Sequence, residues 1–269
     1  MKGLNGKVAI VTGGAASIGK AITVALHAAG VRVAIAARSV EHGKGLEALL
    51  GEGAVFLQTN IAHDEDLERL LKRTQDRFGR LDFIVNNACS YGDHGRESTR
   101  AEWLDTLNVN VVSGALLVEK ARALLSANRG AVVNISSISA YAAQTGRWTY
   151  PVSKAAIIHL TRLQAMDYAK EGIRVNALIA GWTVSDPIHA LSGGDRARAE
   201  RVAADFHLLG RLGRAEEVAE GVLFLCSDHA SFSTGGELRV EGGYLAMGPE
   251  QAAPAIGRLA VGAAAESLS

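Results

Sequence analysis

The sequence predicts a doubly wound α/β fold built on a parallel sheet. Short apolar runs alternate with longer segments of helical spacing along most of the chain. These runs are apolar almost without interruption, the pattern of strands covered on both faces. A glycine-rich turn follows the first of them. In order, Lys7–Thr12 reads as a strand and Ile18–Ala29 as a helix. Val31–Ala36 is the second strand and Val40–Leu50 the second helix. Val55–Leu57 is the third strand, followed by an amphipathic helix over Asp64–Phe78. Leu81–Val85 is the fourth strand, and Arg100–Ser126 reads as one long helix. Ala131–Ile135, a helix over Tyr150–Glu171, and Ile173–Leu178 continue the alternation. Right-handed crossovers then put helices on both faces. A polar, helix-prone segment spans Asp186–Leu209. A helix over Ala215–Ser227 and a short strand at Leu238–Val240 finish the core. We read residues 1–244 as one domain with a substrate lid at about 182–209, and residues 245–269 as an Ala/Gly-rich tail.

Composition narrows the function. Of 269 residues, 48% are apolar and 21% charged, enough for a sizeable core and against global disorder. Lys+Arg and Asp+Glu are 28 each, so the basic excess of a nucleic-acid or anionic-membrane binder is missing. No apolar run approaches the roughly 18 residues of a membrane span. The polar stretch Met1–Lys7 does not read as a signal peptide, and Cys89 and Cys226 make no disulfide framework. The cytoplasm is the expected compartment, and no metal site is expected.

Two local patterns carry chemistry. The first is Thr12-Gly13-Gly14-Ala15-Ala16-Ser17-Ile18-Gly19. A turn between strand and helix presents free N–H groups and the positive helix end to a phosphate. Gly13 can take a backbone angle closed to side chains, and Gly19 lets the helix approach the sheet. The spacing departs from G-x-G-x-x-G, and a plain tight turn explains the glycines equally well. The second pattern is Tyr150 and Lys154, four apart and so on one helix face. An ammonium about 4 Å away at an effective dielectric of 20 favours phenolate by roughly 4 kcal/mol. That is about three pKa units before desolvation opposes it. Such a tyrosine can move a proton at a carbonyl or alcohol oxygen. Ser137 follows the fifth strand, where ligands sit in these sheets, and its hydroxyl can hold the same oxygen. An exposed Tyr/Lys pair on a helix surface is the plainer explanation of the spacing alone.

Taken together, these features resemble the classical short-chain dehydrogenase/reductase family over about residues 5–244. Thr12-Gly13 to Gly19 is similar to its T-G-x-x-x-G-x-G cofactor turn. Asn86-Asn87-Ala88-Cys89 resembles its N-N-A-G. Asn110, Ser137, Tyr150 and Lys154 fall at the spacing of its tetrad. Gly181 matches the P-G turn, and Glu241-Gly242-Gly243 its D-G-G. The resemblance implies a Rossmann-type fold and NAD(P)-dependent interconversion of an alcohol and a carbonyl. It implies that Tyr150 exchanges the proton of the substrate oxygen and that Ser137 orients that oxygen. Lys154 would lower the tyrosine pKa and bind the nicotinamide ribose, and Asn110 would hold a water on the proton path. The expected cofactor contacts are Gly13, Ser17, Ile18, Gly19, Arg38, Ser39, Asn60, Ile61, Asn87, Ala88, Tyr150, Lys154, Gly181 and Thr183. Ser17, Asn60, Cys89 and Ala180 depart from the family pattern.

The second strand ends Ala36-Ala37-Arg38-Ser39. Ala37 stands where NAD-preferring relatives carry an aspartate, and Arg38 can pair with a 2′-phosphate. NADP(H) is therefore the expected cofactor, with NAD the alternative and a solvated Arg38 the bland reading. Candidate pocket residues are Tyr91, Tyr141, Gln144, Trp148, Trp182 and His189. Gly193-Gly194 is a hinge or a plain turn. The long helices at residues 100–126 and 150–171 carry more apolar positions than one inward stripe needs. A homotetramer is expected, with Leu245, Met247 and Ile256 placed to reach a neighbouring subunit. The expected partner is a small carbonyl or alcohol substrate, with no nucleic acid and no membrane. A nucleotide-sensing relative without turnover is the competing reading.

Overall fold

The computed structural model describes residues 1–249. Seven parallel strands form the sheet: β1 (Val8–Thr12), β2 (Arg32–Ala37), β3 (Ala54–Gln58), β4 (Phe83–Asn86), β5 (Ala131–Ser137), β6 (Arg174–Ala180) and β7 (Glu237–Val240). Their spatial order is β3-β2-β1-β4-β5-β6-β7. β1 shows why the apolar runs are unbroken. Its even-numbered Val8 and Ile10 enter one core, and Ala9 and Val11 enter the other. Successive side chains point to opposite faces, and both faces are covered.

One face packs on α1 (Ser17–Ala28), α2 (Val40–Leu50) and α9 (Ala215–Cys226), through Ile22, Leu26, Leu46, Val218 and Val222. The other packs on α3 (Asp64–Phe78), α5 (Ser113–Asn128) and α6 (Thr149–Tyr168), through Leu67, Leu70, Leu117, Leu125 and Ala165. α3 has the expected bounds, and local signals explain why. Asp64, Glu65 and Asp66 fill its first turn, and Leu67, Leu70, Leu71, Thr74 and Phe78 make its buried stripe. Gly79, at φ +76°, ends it with its N–H on the Gln75 carbonyl.

The long helix expected over Arg100–Ser126 is interrupted. α4 (Arg100–Leu107) passes into one wide π turn at Asn108–Val112 before α5 begins. The Ser113 hydroxyl donates to the Asn108 carbonyl at 2.8 Å inside that turn. The widened turn changes which residues face inward, and Asn110 is buried there. The segment at 186–209 is two short helices, α7 (Asp186–Leu191) and α8 (Arg196–Ala204). Gly193 and Gly194 take φ +64° and +84° in the turn between them. Leu245 packs with Trp182 and Tyr244 against Ile138, Ile158, Ala177 and Ile179 of its own chain and is half-buried there. Ile256 and the tail from residue 250 onward lie outside the described residues.

One buried carboxylate ties the sheet's amino-terminal edge. Asp82 accepts from the Arg80 guanidinium at 2.7 and 2.8 Å and from the Val8 N–H at 2.9 Å, and lies 3.1 Å from the Lys7 ammonium. Burial pushes its pKa up, but the hydrogen bonds from Arg80, Val8 and Lys7 outweigh burial and hold it below the usual carboxylate value. A folded-state pKa below the unfolded one stabilises the fold above the ordinary aspartate range, and that stability is lost as pH falls through the folded value. Asp82→Ala is expected to cost about 2–3 kcal/mol near neutral pH, since it orphans a buried N–H. Urea unfolding across pH checks this: the wild-type advantage should shrink below about pH 4.

Candidate active site

Residues beyond the carboxyl ends of β1, β4, β5 and β6 line a cleft of about 1030 Å³. β1 and β4 are neighbours in space though two strands intervene in sequence, so the connections leave them in opposite directions and open a crevice. Thr12 closes its floor. Its hydroxyl accepts from the Asn87 and Ala88 N–H groups at 3.0 and 3.1 Å. The Asn87 side-chain amide returns a bond to the Thr12 carbonyl at 2.9 Å.

The glycine turn sits above this floor. Gly13 takes φ +65°, and a Cβ there would meet the Asn87 amide nitrogen at 2.9 Å. A Cβ on Gly19 would run into the Gly13 carbonyl oxygen. α1 begins at an Ala16 N-cap without a side-chain cap, so no side chain of the cap residue occupies its first-turn N–H groups. That is a cradle for an anionic group, and it fits the pyrophosphate of a dinucleotide. Ser17 is the departure. It holds φ +47°, and its hydroxyl donates to the Asp186 carboxylate at 2.7 Å and accepts from the Asp186 N–H at 3.0 Å. The residue that breaks the glycine pattern therefore joins the turn to α7. Ile18 lines the cleft beside it.

Arg38 is exposed just past β2, without an ion pair among the described residues. Ser39 is the N-cap of α2 and accepts from the His42 N–H at 3.3 Å. The Asn60 side chain is engaged locally, accepting from the Ala62 N–H at 3.2 Å. Ile61 lines a small cavity with Thr12, Ala88, Asn110 and Lys154. Gly181 and Thr183 line the main cleft, with the Thr183 hydroxyl on the Gly181 carbonyl at 3.1 Å.

Ser137, Tyr150 and Lys154 share one wall of the cleft. The Ser137 oxygen accepts from the Ser139 N–H at 3.2 Å. The Lys154 ammonium donates to the Ile135 carbonyl at 2.9 Å and lies 5.5 Å from the Tyr150 ring centre. Asn110 stands behind this wall. Its carbonyl accepts from the Ser90 N–H at 2.6 Å, and its amide donates to the Ser153 hydroxyl at 2.9 Å. The π turn thus fastens the β4 loop to α6.

The tyrosine is not an acidified phenol in this arrangement. Burial raises its pKa, and charge on Cys89 would raise it further. Hydrogen bonding to Ser137, the Arg147 cation and hydrogen bonding to Tyr91 pull the other way without prevailing. Burial likewise lowers the Lys154 pKa. Burial is the largest cause at both groups, where the sequence spacing predicts an acidified tyrosine.

Two contributors, Arg147 and Asp93, escaped the sequence reading, and Tyr91 takes a contact that the sequence did not give it. Arg147 sits over the Tyr150 ring, 4.7 Å from its centre, and Tyr91 stacks on that ring at 5.1 Å. Tyr91 had been expected at the pocket, but not as a partner of Tyr150. Asp93 accepts from the Trp148 and Tyr150 N–H groups at 2.8 and 3.1 Å and from the Gly95 N–H at 3.0 Å. It caps α6, whose own N-cap residue, Trp148, has no capping side chain. That missing cap was the available signal. Gln144 and Trp182 line the cleft as expected, whereas Tyr141, Trp148 and His189 do not. Tyr141 instead donates to Glu237, and Trp148 is half-exposed.

The family model described as enoyl-(acyl carrier protein) reductase matches residues 13–245. This chain belongs to the short-chain dehydrogenase/reductase family. It is 35% identical to a 2,5-dichloro-2,5-cyclohexadiene-1,4-diol dehydrogenase of Sphingobium indicum, over 92% of this chain and all of that protein. It is 38% identical to an L-fucose dehydrogenase of Oryctolagus cuniculus, over 91% of this chain and 87% of that protein. It is 33% identical to a 3-oxoacyl-[acyl-carrier-protein] reductase of Vibrio cholerae, over 89% of this chain and 98% of that protein. As a member of the short-chain dehydrogenase/reductase family, it is an NAD(P)-dependent oxidoreductase. No helix among the described residues is long and apolar enough to cross a membrane.

Burial raises the Asp93 pKa, but hydrogen bonds from Trp148, Gly95, Tyr150 and Thr149 hold it below the usual range, so Asp93 is an ionised cap at neutral pH. Asp93→Ala is expected to destabilise the protein by about 1–2 kcal/mol. Thermal unfolding checks this, and an unchanged Tm would remove Asp93 from its place at the head of α6.

Proposed function

We propose that this chain transfers hydride between NADP(H) and a small carbonyl or secondary alcohol, with Tyr150 as general acid and base. The convergence of Ser137, Tyr150 and Lys154 on one cleft wall, beside the glycine cradle, carries this reading. The nicotinamide cofactor supplies or accepts the hydride when bound. Gly13, Ser17, Ile18 and Gly19 receive the pyrophosphate, with Asn87, Ala88, Ile61 and Asn60 along the adenosine side and Gly181 and Thr183 at the nicotinamide end. The Tyr150 hydroxyl gives its proton to a carbonyl oxygen during reduction and takes it back from an alcohol during oxidation. Ser137 donates a hydrogen bond to that same oxygen. Lys154, as an ammonium, holds the ribose hydroxyls and favours the phenolate during oxidation, and a water held by Asn110 passes protons between Lys154 and bulk solvent.

Arg38 favours NADP(H), because its guanidinium is exposed at the strand end and pairs with no acid among the described residues. An NAD-dependent oxidation of a cyclic or sugar-like secondary alcohol is the second reading. The names of the diol and L-fucose dehydrogenases favour it. Residues 182–209 act as a substrate lid over the domain formed by residues 1–244. The enzyme works in the cytoplasm as a homotetramer, a reading supported by exposed Leu104, Val112, Leu163 and Met166 on the helices that family members pair between subunits.

Fluorescence titration with NADPH and NADH tests the cofactor. NADPH should bind more tightly, and Arg38→Ala should weaken NADPH roughly tenfold while sparing NADH, the loss of a charge-assisted hydrogen bond. Tighter NADH binding would overturn the NADP(H) assignment. Tyr150→Phe should still bind NADPH while losing turnover by about 10²-fold or more. Turnover that survives this change would remove Tyr150 from the chemistry. Binding without turnover by the wild type across a broad carbonyl and alcohol panel would support the nucleotide-sensing alternative.

A further inference from the structure

Arg147 is a half-buried cation with no ion pair among the described residues. None of its side-chain N–H groups finds an acceptor there either; only its backbone N–H is bonded, to Gln144. It lines the cleft and lies 4.7 Å from the centre of the Tyr150 ring. A guanidinium over an aromatic ring keeps its N–H donors directed outward, in a fork that matches a carboxylate. Arg198, from α8, lines the same cleft and also lacks an ion pair among the described residues. Asp195 caps α8 through the Arg198 backbone N–H at 2.9 Å, which leaves that guanidinium unused.

The balance of charge points the same way. Arg147, Lys154 and Arg198 line the cleft, and Asp93 is the one acidic residue among the described residues that line it. Asp93 is already committed to the N–H groups of Gly95, Trp148 and Tyr150. Lys154 is committed to the Ile135 carbonyl. Two arginines therefore line the cleft with no anion among the described residues to meet them. Arg147 is half-buried whereas Arg198 is exposed. Partial burial of a cation without a partner is unfavourable, so a ligand anion gains by supplying one at Arg147. The pyrophosphate cradle lies at the glycine turn, whereas Arg147 lies against the tyrosine.

We propose that Arg147 is the recognition residue for a carboxylate on the substrate, which is a hydroxy acid or oxo acid with its carboxylate a short spacer from the reacting carbon. Arg198 closes on the same anion from the α8 side. This rests on the oxidoreductase reading above, and it adds the class of substrate.

Matched probes separate the two. A panel of 2-, 3- and 4-hydroxy acids is assayed beside the methyl ester of each, with wild type, Arg147→Gln and Arg147→Lys. At least one acid should exceed its ester in kcat/KM by tenfold or more in the wild type. Arg147→Gln should collapse that ratio towards one, and Arg147→Lys should recover part of it. Taking the ratio cancels any loss that acts through Tyr150 and so falls on acid and ester alike. Esters turned over as well as or better than acids would overturn the carboxylate proposal and leave the oxidoreductase reading intact. An equal loss on acid and ester in Arg147→Gln would overturn it too. Calorimetric titration with benzoate and benzamide, in the presence of the oxidised cofactor, reads the anion site without turnover. Benzoate should bind wild type at least tenfold tighter than benzamide and lose that advantage in Arg147→Gln. Equal binding of the two would overturn the proposal, whereas a benzoate preference in a protein that turns over nothing would remove the oxidoreductase reading alone.

Discussion

The site depends on the seam between β1 and β4. Parallel strands buried on both faces can offer a ligand only their ends, and a crevice opens where neighbouring connections diverge. Thr12 and Asn87 fix that seam by exchanging backbone and side-chain hydrogen bonds across it. Gly13 and Gly19 pack against the same Asn87 side chain with no room for a Cβ. The cradle is therefore a consequence of strand order. Had β1 and β4 not been adjacent, the same glycines would form an ordinary tight turn.

A second layer of polar contacts aims α6. Asp93 from the β4 loop caps the helix start, and Asn110 from the π turn binds both that loop and Ser153. These groups are buried or half-buried and form a connected network, which is more rigid than separate surface bonds. Through it the loop after β4 and the α4–α5 kink share control of where the Tyr150 ring stands. The cost is desolvation. The tyrosine and the lysine both have pKa values shifted towards their neutral forms, and the nearest compensating cation is Arg147.

Much of this was legible in the residues. The period of the apolar pattern located every strand and most helix bounds, and α3 was read correctly because its caps are local. Ser137, Tyr150 and Lys154 could be singled out because local patterning places them after a strand and near a helix start, and the structure puts all three in the lining of one cleft. The π turn at Asn108–Val112 was not legible, since its residues fit an uninterrupted α-helix as well. The uncapped start of α6 signalled that a cap was needed but not that Asp93 supplies it, because Asp93 lies 57 residues from the N–H group of Tyr150 that it serves. Arg147 was not singled out, because nothing in its local sequence sets it apart from a solvated arginine.

The sequence by itself determined the layered parallel sheet, the order of its elements, the family and the chemical types gathered at the strand ends. Those follow from periodicity, caps and motif spacing, which act over a few residues. Only the tertiary structure decided which charges remain unpaired, that burial raises the Tyr150 pKa, and that Ser17 joins Asp186. Those depend on groups far apart in the chain meeting where water is excluded, and neither distance nor dielectric is written in a local pattern.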